Sequence, residues 1–243
     1  NDITKGGLPR KTLNIILAGT GVGKSLAMCH FAASNLTDGR NVLYITAEMA
    51  EERIAERIDA NLLNVQIDQL TDLSKSMFAE KVYNLSTKTN GKLIVKEYPT
   101  KSATTQTIKN HLERLKKRGI HPDMVIVDYA DLLRPIKSKS EKRHELETIY
   151  EDLRGISQIM ECPVWTASQT NRSGLNAEVI TMEAISEAFN KCFVSDFIFT
   201  VSRTVNDKKA NMGRIFLAKN RNGPDGIVLP IFMDTANVCI KIL

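Results

Sequence analysis

A glycine-rich run near the N terminus is the strongest chemical signal in the sequence. Gly19-Thr20-Gly21-Val22-Gly23-Lys24-Ser25 follows an apolar segment and leads into a segment of helical period, and Ala18 stands where such loops usually have their first glycine. Loops of this pattern direct backbone N–H groups and a helix N terminus at phosphates. Lys24 would follow the β- and γ-phosphate oxygens, and the Ser25 hydroxyl is a hard oxygen ligand suited to Mg²⁺. We predict a nucleotide-binding loop, with a glycine-rich turn that binds nothing as the alternative. Its residues are Gly19, Thr20, Gly21, Val22, Gly23, Lys24, Ser25 and Leu26.

Acidic residues follow two other apolar runs. Asp128 comes directly after Met124–Val127, and Glu48 follows Tyr44-Ile45-Thr46-Ala47. Ligands of open α/β sheets gather at the carboxyl ends of the strands, so both carboxylates should reach the phosphate loop. Asp128 would hold Mg²⁺ through water, or it is a turn residue at the strand end. Glu48 would orient and deprotonate the water that attacks the γ-phosphate, or it opens the next helix, where an acid suits the helix dipole.

Three further polar residues lie near strand ends. Gln169 follows Val164–Ala167 and Ser168, where its amide could sense the γ-phosphate by a hydrogen bond or simply belong to a loop. Lys219 and Arg221 flank a turn at the end of a later apolar run. Taken by their position alone, these two residues are solvated turn charges.

The elements that must position these side chains follow from the hydrophobic pattern. Short β-rich apolar runs alternate with segments of helical period, which predicts right-handed βαβ crossovers and a mostly parallel sheet buried on both faces. After Ser195 the apolar runs are separated by turn signals, so we predict antiparallel strands at the C-terminal edge with no helix between them. The predicted strands are Leu13–Ala18, Val42–Thr46, Leu93–Lys96, Met124–Val127, Val164–Ala167, Phe197–Ser202, Arg214–Ala218, Ile227–Phe232 and Val238–Ile242.

Size and composition agree with one folded α/β domain. The 243 residues are 42% hydrophobic and carry a net charge of +5, which permits a polyanionic partner without requiring one. No apolar run approaches the roughly 18 residues that a membrane span needs, and the polar N terminus has no secretory signal pattern. The four cysteines lie far apart, without zinc spacing. We expect a cytoplasmic protein with no membrane partner, in which residues 1–11 form a linker and residues 12–243 form the domain.

Several ordered motifs together resemble one protein family. The chain is similar to the RecA-like motor domain of hexameric replicative DNA helicases of the DnaB type, most closely those of T-even-type bacteriophages. The resemblance covers nearly the whole chain. The motifs that carry it are Leu8-Pro9-Arg10-Lys11-Thr12-Leu13-Asn14 with the phosphate loop, Ala47-Glu48-Met49, Val127-Asp128-Tyr129, Ser168-Gln169-Thr170-Asn171-Arg172 and Lys219-Asn220-Arg221-Asn222-Gly223-Pro224.

The resemblance implies a chemistry for the residues that match these motifs. ATP and Mg²⁺ would be the cofactors, Glu48 the catalytic base, and Gln169 the residue that couples the γ-phosphate to DNA. Arg221 would be an arginine finger that enters the ATP site of the neighbouring subunit, assisted by Lys219. The active unit would then be a homo-oligomeric ring, a hexamer in this family.

Single-stranded DNA is the partner that the resemblance implies, bound by loops that face a central channel. The basic run Arg134 to Arg143 and the stretch Arg172 to Phe189 correspond to those loops, although the basic run could instead be a solvated charged loop. At the positions of an Arg-Glu pair in bacterial relatives this chain has Ser186 and Glu187, and Phe189 replaces a later glycine. The candidate DNA-binding residues are Arg134, Lys137, Lys139, Lys142, Arg143, Arg172, Ser186 and Glu187.

Two other functions fit the same core. A RecA- or RadA-like recombinase would pair strands instead of unwinding them, and an ATP-gated DNA-binding or loader module would grip DNA without processive movement. The Lys219-Asn220-Arg221 element favours the helicase group over the recombinases. The family also implies primase and helicase-loader partners, bound through an N-terminal helical domain that these 243 residues do not encode.

Overall fold

The computed structural model describes residues 3–4, 6–138, 141–170, 178–181 and 193–243. Strands and helices alternate through β5, as the hydrophobic pattern predicts. The strands are β1 Leu13–Ala18, β2 Val42–Thr46, β3 Leu93–Glu97, β4 Met124–Asp128, β5 Val164–Gln169, β6 Phe197–Ser202, β7 Met212–Asn220, β8 Val228–Asp234 and β9 Cys239–Ile242. The α-helices are α1 Lys24–Thr37, α2 Glu51–Leu63, α3 Lys75–Ser86, α4 Thr105–Lys117, α5 Lys142–Met160 and α6 Val205–Lys209, with 3₁₀ turns at Ile67–Asp72 and Ala130–Leu132.

All of these strands form one sheet, in the order β3-β2-β4-β5-β1-β6-β7-β8-β9. β1 to β6 pair in parallel, and β7, β8 and β9 are added as antiparallel strands. The predicted α/β architecture is therefore confirmed. β1 lies in the middle of the sheet between β5 and β6, so the loop that follows it is flanked by the carboxyl ends of the other parallel strands.

The core is divided between the two faces of the sheet. Successive residues of β1 belong to opposite clusters, because side chains alternate across a strand. Ile16 packs with α1, α2 and the aromatic residues of β5 and β6. Ile15 and Leu17 pack with α4 and α5 on the other face. Both faces are covered, which is why the parallel strands are nearly continuous apolar runs.

The helices that cover the sheet are amphipathic. In α4, for example, Ile108, Leu112 and Leu115 are buried, and the Thr104 hydroxyl accepts a hydrogen bond from the backbone N–H of Thr107 at the start of the helix. Within the described ranges, none of the helices has the length and apolar character that crossing a membrane requires.

The expectation of no helix among the C-terminal strands is wrong. A single helical turn, α6, connects β6 to β7. The Thr204 side chain accepts from the backbone N–H of Asp207 at 3.2 Å, and the Asp207 carboxylate accepts from the backbone N–H of Thr204 at 2.7 Å. Arg214 on β7 adds an ion pair to Asp207 at 2.8 Å. This reciprocal cap stabilises a turn too short to show a helical period in the sequence.

Candidate nucleotide site

The phosphate loop joins β1 to α1 in a conformation that only glycine adopts easily. Gly21 and Gly23 have φ values of 69° and 120°, in the left-handed region that disfavours side chains. A Cβ atom at Gly23 would also lie 2.2 Å from Cε of Met233, so the flexible end of that side chain would have to move. The need for glycine in this loop therefore comes mainly from local backbone geometry.

The N terminus of α1 is arranged to meet an anion. Among the described residues, no side chain caps this helix, and its first turn, which begins with Lys24, Ser25 and Leu26, contains no acidic residue. The backbone N–H groups of a first turn and the positive end of the helix dipole attract phosphate. The predicted loop therefore has the local structure of a phosphate-binding site.

Lys24 lies among acidic residues below the loop. Its side chain is buried, and Nζ donates to the carbonyl of Gly19 at 3.5 Å. Burial lowers the pKa of Lys24, whereas the charges of Glu48, Asp128 and Asp131 raise it. Three carboxylates near one ammonium leave an excess of negative charge, which suits a divalent cation at the same site.

Asp128 has an oxygen available for such a cation. The Tyr44 hydroxyl donates to Oδ2 at 2.8 Å, whereas Oδ1 is buried and has no hydrogen-bond partner among the described residues. Burial raises the pKa of Asp128 to about 6. The nearby hydroxyls of Tyr44 and Ser25 lower this pKa and so limit the rise. An unpartnered carboxylate oxygen next to a serine hydroxyl fits Mg²⁺ or a water bound to it.

Glu48 is exposed in the bend that follows β2. The bend is held by the Thr46 hydroxyl, which accepts from the backbone N–H of Met49 at 3.0 Å, and by the backbone N–H of Ala47, which donates to the carbonyl of Asp128 at 2.8 Å. Glu48 precedes the first residue of α2 by three positions, so the interpretation that it opens this helix is wrong. Its carboxylate lies close enough to Lys24 for its charge to raise the pKa of Lys24.

Gln169 is the last residue of β5 and pairs with Ala18 at the start of the phosphate loop. Its side-chain amide donates to the Tyr129 hydroxyl at 3.1 Å. The Tyr129 ring centroid lies 6.0 Å from Nζ of Lys24, and burial raises the pKa of Tyr129 to about 12, so its hydroxyl stays protonated at neutral pH. The structure therefore brings Gln169 to the loop through a strand end, whereas its role there stays a prediction.

Two residues of this site were missed from the sequence. Asp131 accepts hydrogen bonds from the Tyr150 hydroxyl at 2.9 Å and from the Ser168 hydroxyl at 3.0 Å, and its charge raises the pKa of Lys24. Tyr44 lies within an apolar strand, where a tyrosine is usually a core residue. The second acid, three positions after Asp128, was a usable signal for Asp131, but nothing local distinguished Tyr44.

Lys219 and Arg221 lie at the opposite end of the sheet. Asn220, between them, pairs with Phe197, which in turn pairs with Asn14 near the start of β1. The phosphate loop follows Ala18 at the other end of that strand, roughly 13 Å away at about 3.3 Å per residue. The chain's own Arg221 is therefore not part of the site around Lys24.

The candidate DNA-binding residues are only partly described. Arg134 and Lys137 are exposed in the segment that precedes α5. Lys142 and Arg143 are also exposed but belong to the first turn of α5, so the expectation of a loop through position 143 is wrong. Glu141, the N-cap residue, has an extended backbone, so the helix begins at Lys142. Lys139, Arg172, Ser186 and Glu187 lie outside the described residues.

Comparison with known proteins gives a consistent result. The chain is 38% identical over 230 residues to a DnaB-like replicative helicase of Enterobacteria phage T4, covering 92% of this chain and 48% of that protein. It is 25% identical over 250 residues to the replicative DNA helicase DnaB of Geobacillus stearothermophilus, covering 97% of this chain and 54% of that protein. The chain thus spans about half the length of these relatives.

Solved structures share the fold. One of them, described as an ATPase domain, superposes with a TM-score of 0.83 at 17% identity, over 98% of this chain and 87% of that one. A DnaB-like replicative helicase, described with its interactions with primase, superposes with a TM-score of 0.81 at 18% identity, over 98% of this chain and 58% of that one. The predicted RecA-like fold is confirmed.

A family model for the DnaB-like helicase C-terminal domain matches residues 1–238. With a described phosphate loop, acidic strand ends and this match over nearly its whole length, the chain belongs to the DnaB-like helicase C-terminal domain family.

Proposed function

We propose that this chain is the ATP-hydrolysing motor of a replicative DNA helicase, which translocates on single-stranded DNA as a ring and unwinds duplex. One observation carries the proposal: the phosphate loop with its acidic residues lies at one end of the parallel sheet, and Arg221 lies at the other. A chain with this arrangement has two halves of a nucleotide site, facing in opposite directions. Copies arranged head to tail would unite them.

Each residue of the nucleotide site has a distinct task. The backbone of residues 19–23 and the first turn of α1 bind the phosphates of ATP, and Lys24 follows the γ-phosphate oxygens. Ser25 and Asp128, the latter through water, would hold Mg²⁺, which when bound neutralises charge on those oxygens. Glu48 would take a proton from the attacking water; its exposed side chain and the effect of its charge on Lys24 support this role. Gln169 would form a hydrogen bond with the γ-phosphate, so that loss of this phosphate changes the position of the segment that follows Gln169.

Arg221 completes the site of the neighbouring subunit. Its planar guanidinium would stabilise charge that develops on the transferred phosphoryl group, and Lys219, two residues earlier, would assist. This arrangement makes hydrolysis depend on assembly into a ring, a hexamer in keeping with the family. Each hydrolysis event would then change contacts in two subunits, the one that binds ATP and the one that contributes Arg221.

The remaining partners extend the same proposal. Arg134, Lys137, Lys142 and Arg143, which are exposed, provide positive charge for a single-stranded DNA backbone. Primase and a helicase loader would bind through an N-terminal domain. The relatives are about twice as long as this chain, which is long enough to include such a domain. Such a motor would work in the cytoplasm of the cell in which the DNA replicates.

The test uses Arg221→Ala in the full chain, with Lys209→Ala as a control that removes an exposed basic residue of α6. We expect Arg221→Ala to lower DNA-stimulated ATP turnover by about 10³-fold or more, the usual contribution of an arginine finger, and to abolish opening of a forked duplex. The control should retain both activities. Intact DNA-stimulated hydrolysis in Arg221→Ala would refute the proposal. Fork opening itself distinguishes a helicase from a recombinase or a passive loader.

A further inference from the structure

A buried aspartate lies beside Arg221 at the end of the sheet remote from the phosphate loop. Asp196 precedes β6, and its side chain is 5% exposed. Oδ1 accepts a hydrogen bond from Nη2 of Arg154 at 3.0 Å and forms an ion pair with Nη1 of Arg221 at 3.1 Å. Oδ2 accepts from the backbone N–H of Leu13 at 3.1 Å. Both oxygens of a buried carboxylate are thus hydrogen-bonded to fixed donors.

The backbone of Asp196 is held by the same neighbours. Its N–H donates to the carbonyl of Leu13 at 2.9 Å, and its carbonyl accepts from the N–H of Arg221 at 2.9 Å. Leu13 is the first residue of β1, whose other end enters the phosphate loop. Asp196 therefore contacts both the backbone and the guanidinium of Arg221. It also contacts β1, the strand that leads into this subunit's own phosphate loop.

The guanidinium of Arg221 has two contacts within its own subunit but remains partly exposed to solvent. Its side chain is 46% exposed, with Nη1 on Asp196 and Nη2 on the carbonyl of Phe193 at 3.4 Å. A guanidinium has five N–H donors in a rigid fork, so two contacts fix its plane and leave donors for another acceptor. A long side chain that was free to rotate would instead pay an entropic cost each time it adopted this orientation.

We propose that Asp196 is a positioning residue for the arginine finger. Resting on the trans role of Arg221 stated above, it fixes the guanidinium so that its remaining N–H groups project from the surface toward the phosphate of a neighbouring subunit. Through its hydrogen bonds to Leu13, Asp196 also links Arg221 to β1. A displacement of β1 would therefore move both the phosphate loop and the arginine finger of the same chain. The competing explanation is that Asp196 only stabilises the fold through Arg154.

The first test compares Asp196→Asn with Arg154→Gln, which removes the other guanidinium from the same carboxylate and leaves Arg221 bound. Misplacement of a reacting group by about 1 Å costs on the order of 100-fold in rate. We expect Asp196→Asn to lower kcat for ATP by about 10- to 100-fold with KM within about 2-fold, and Arg154→Gln to stay within about 3-fold of wild type. Equal losses in both variants would overturn the proposal.

A double variant asks whether Asp196 acts through Arg221. If it does, adding Asp196→Asn to Arg221→Ala lowers kcat no further, because the side chain to be positioned is already missing. A further loss of about 10-fold or more in the double variant would contradict the proposal. Should Asp196→Asn fail to fold because Arg154 is left as an unpaired cation, Asp196→Asn with Arg154→Met removes that charge, and the same comparisons apply.

Mixing subunits separates this proposal from the one on which it rests. Lys24→Ala damages the phosphate loop and spares the finger, so mixing it with Arg221→Ala should restore part of the ATP turnover; if it does not, the trans finger itself is wrong. Asp196→Asn should then complement Lys24→Ala and fail to complement Arg221→Ala. Recovery with Arg221→Ala, or failure with Lys24→Ala while the first pair recovers, would overturn the role of Asp196 alone.

Discussion

Removal of one buried hydroxyl, in Tyr44→Phe, should make the metal response of this site more sensitive to pH than it is in the wild type. Tyr44 is fully buried and donates to Oδ2 of Asp128 at 2.8 Å. Burial and the Asp128 charge raise the pKa of Tyr44 well above its usual value, so the hydroxyl remains a donor at any working pH. Phenylalanine keeps the ring and deletes the hydrogen bond that favours the ionised form of Asp128.

The size of the effect follows from the energy of that bond. A hydrogen bond to a charged group contributes about 1.5–3 kcal/mol, and about 1.4 kcal/mol corresponds to a factor of ten in proton affinity. The pKa of Asp128, about 6 in the wild type, therefore rises in the variant. A proton on Asp128 competes with Mg²⁺, so at pH 6 the gain in nucleotide affinity that Mg²⁺ provides should fall by roughly 7- to 80-fold. At pH 9 the carboxylate is ionised in both proteins, and the gain should be equal.

The assay is binding of a fluorescent ATP analogue with saturating Mg²⁺ and with EDTA, at pH 6 and at pH 9. The matched control is Tyr150→Phe, which removes another fully buried hydroxyl, one that donates to Asp131 at 2.9 Å instead of Asp128. It should leave the Mg²⁺ gain of wild type at both values of pH. A loss in Tyr44→Phe that is the same at pH 6 and pH 9, or an equal loss in the control, would refute the reasoning.

Three other perturbations have defined outcomes. Gly23→Ala strains a residue with φ of 120°, so urea unfolding should show a loss of about 1–3 kcal/mol, and binding of the ATP analogue should be abolished. Tyr129→Phe deletes the hydrogen bond that holds Gln169; we expect single-stranded DNA to stimulate turnover about 2- to 10-fold less, with unchanged turnover in its absence. Burial lowers the pKa of His30, so its contribution to stability is full above about pH 6.5 and is lost as the pH falls below that value. The free energy of unfolding of His30→Gln should therefore decline less than that of wild type between pH 7 and pH 5, and an identical decline would count against this role.

The nucleotide half of the site was readable from local sequence. The loop before Lys24 is a local pattern, since its glycines meet backbone requirements within a few residues. Asp128 and Gln169 were also found, because buried parallel strands are apolar runs whose ends are marked by the first polar residues. α6 was missed because a single turn stabilised by Thr204 and Asp207 has no period to detect.

Tertiary structure decided which distant residues share a site. Tyr44 and Asp128 are hydrogen-bonded because β2 and β4 are neighbours in the sheet, and the sequence of each strand carries no sign of the other. In the same way, pairing of β7 with β6 takes Arg221 to Asp196 and away from Lys24. The sequence by itself determined the elements and the phosphate loop, because those depend on local periodicity and backbone conformation. Only the fold determined that the loop and the arginine lie at opposite ends of the sheet, because strand order and register depend on contacts between residues far apart in the chain.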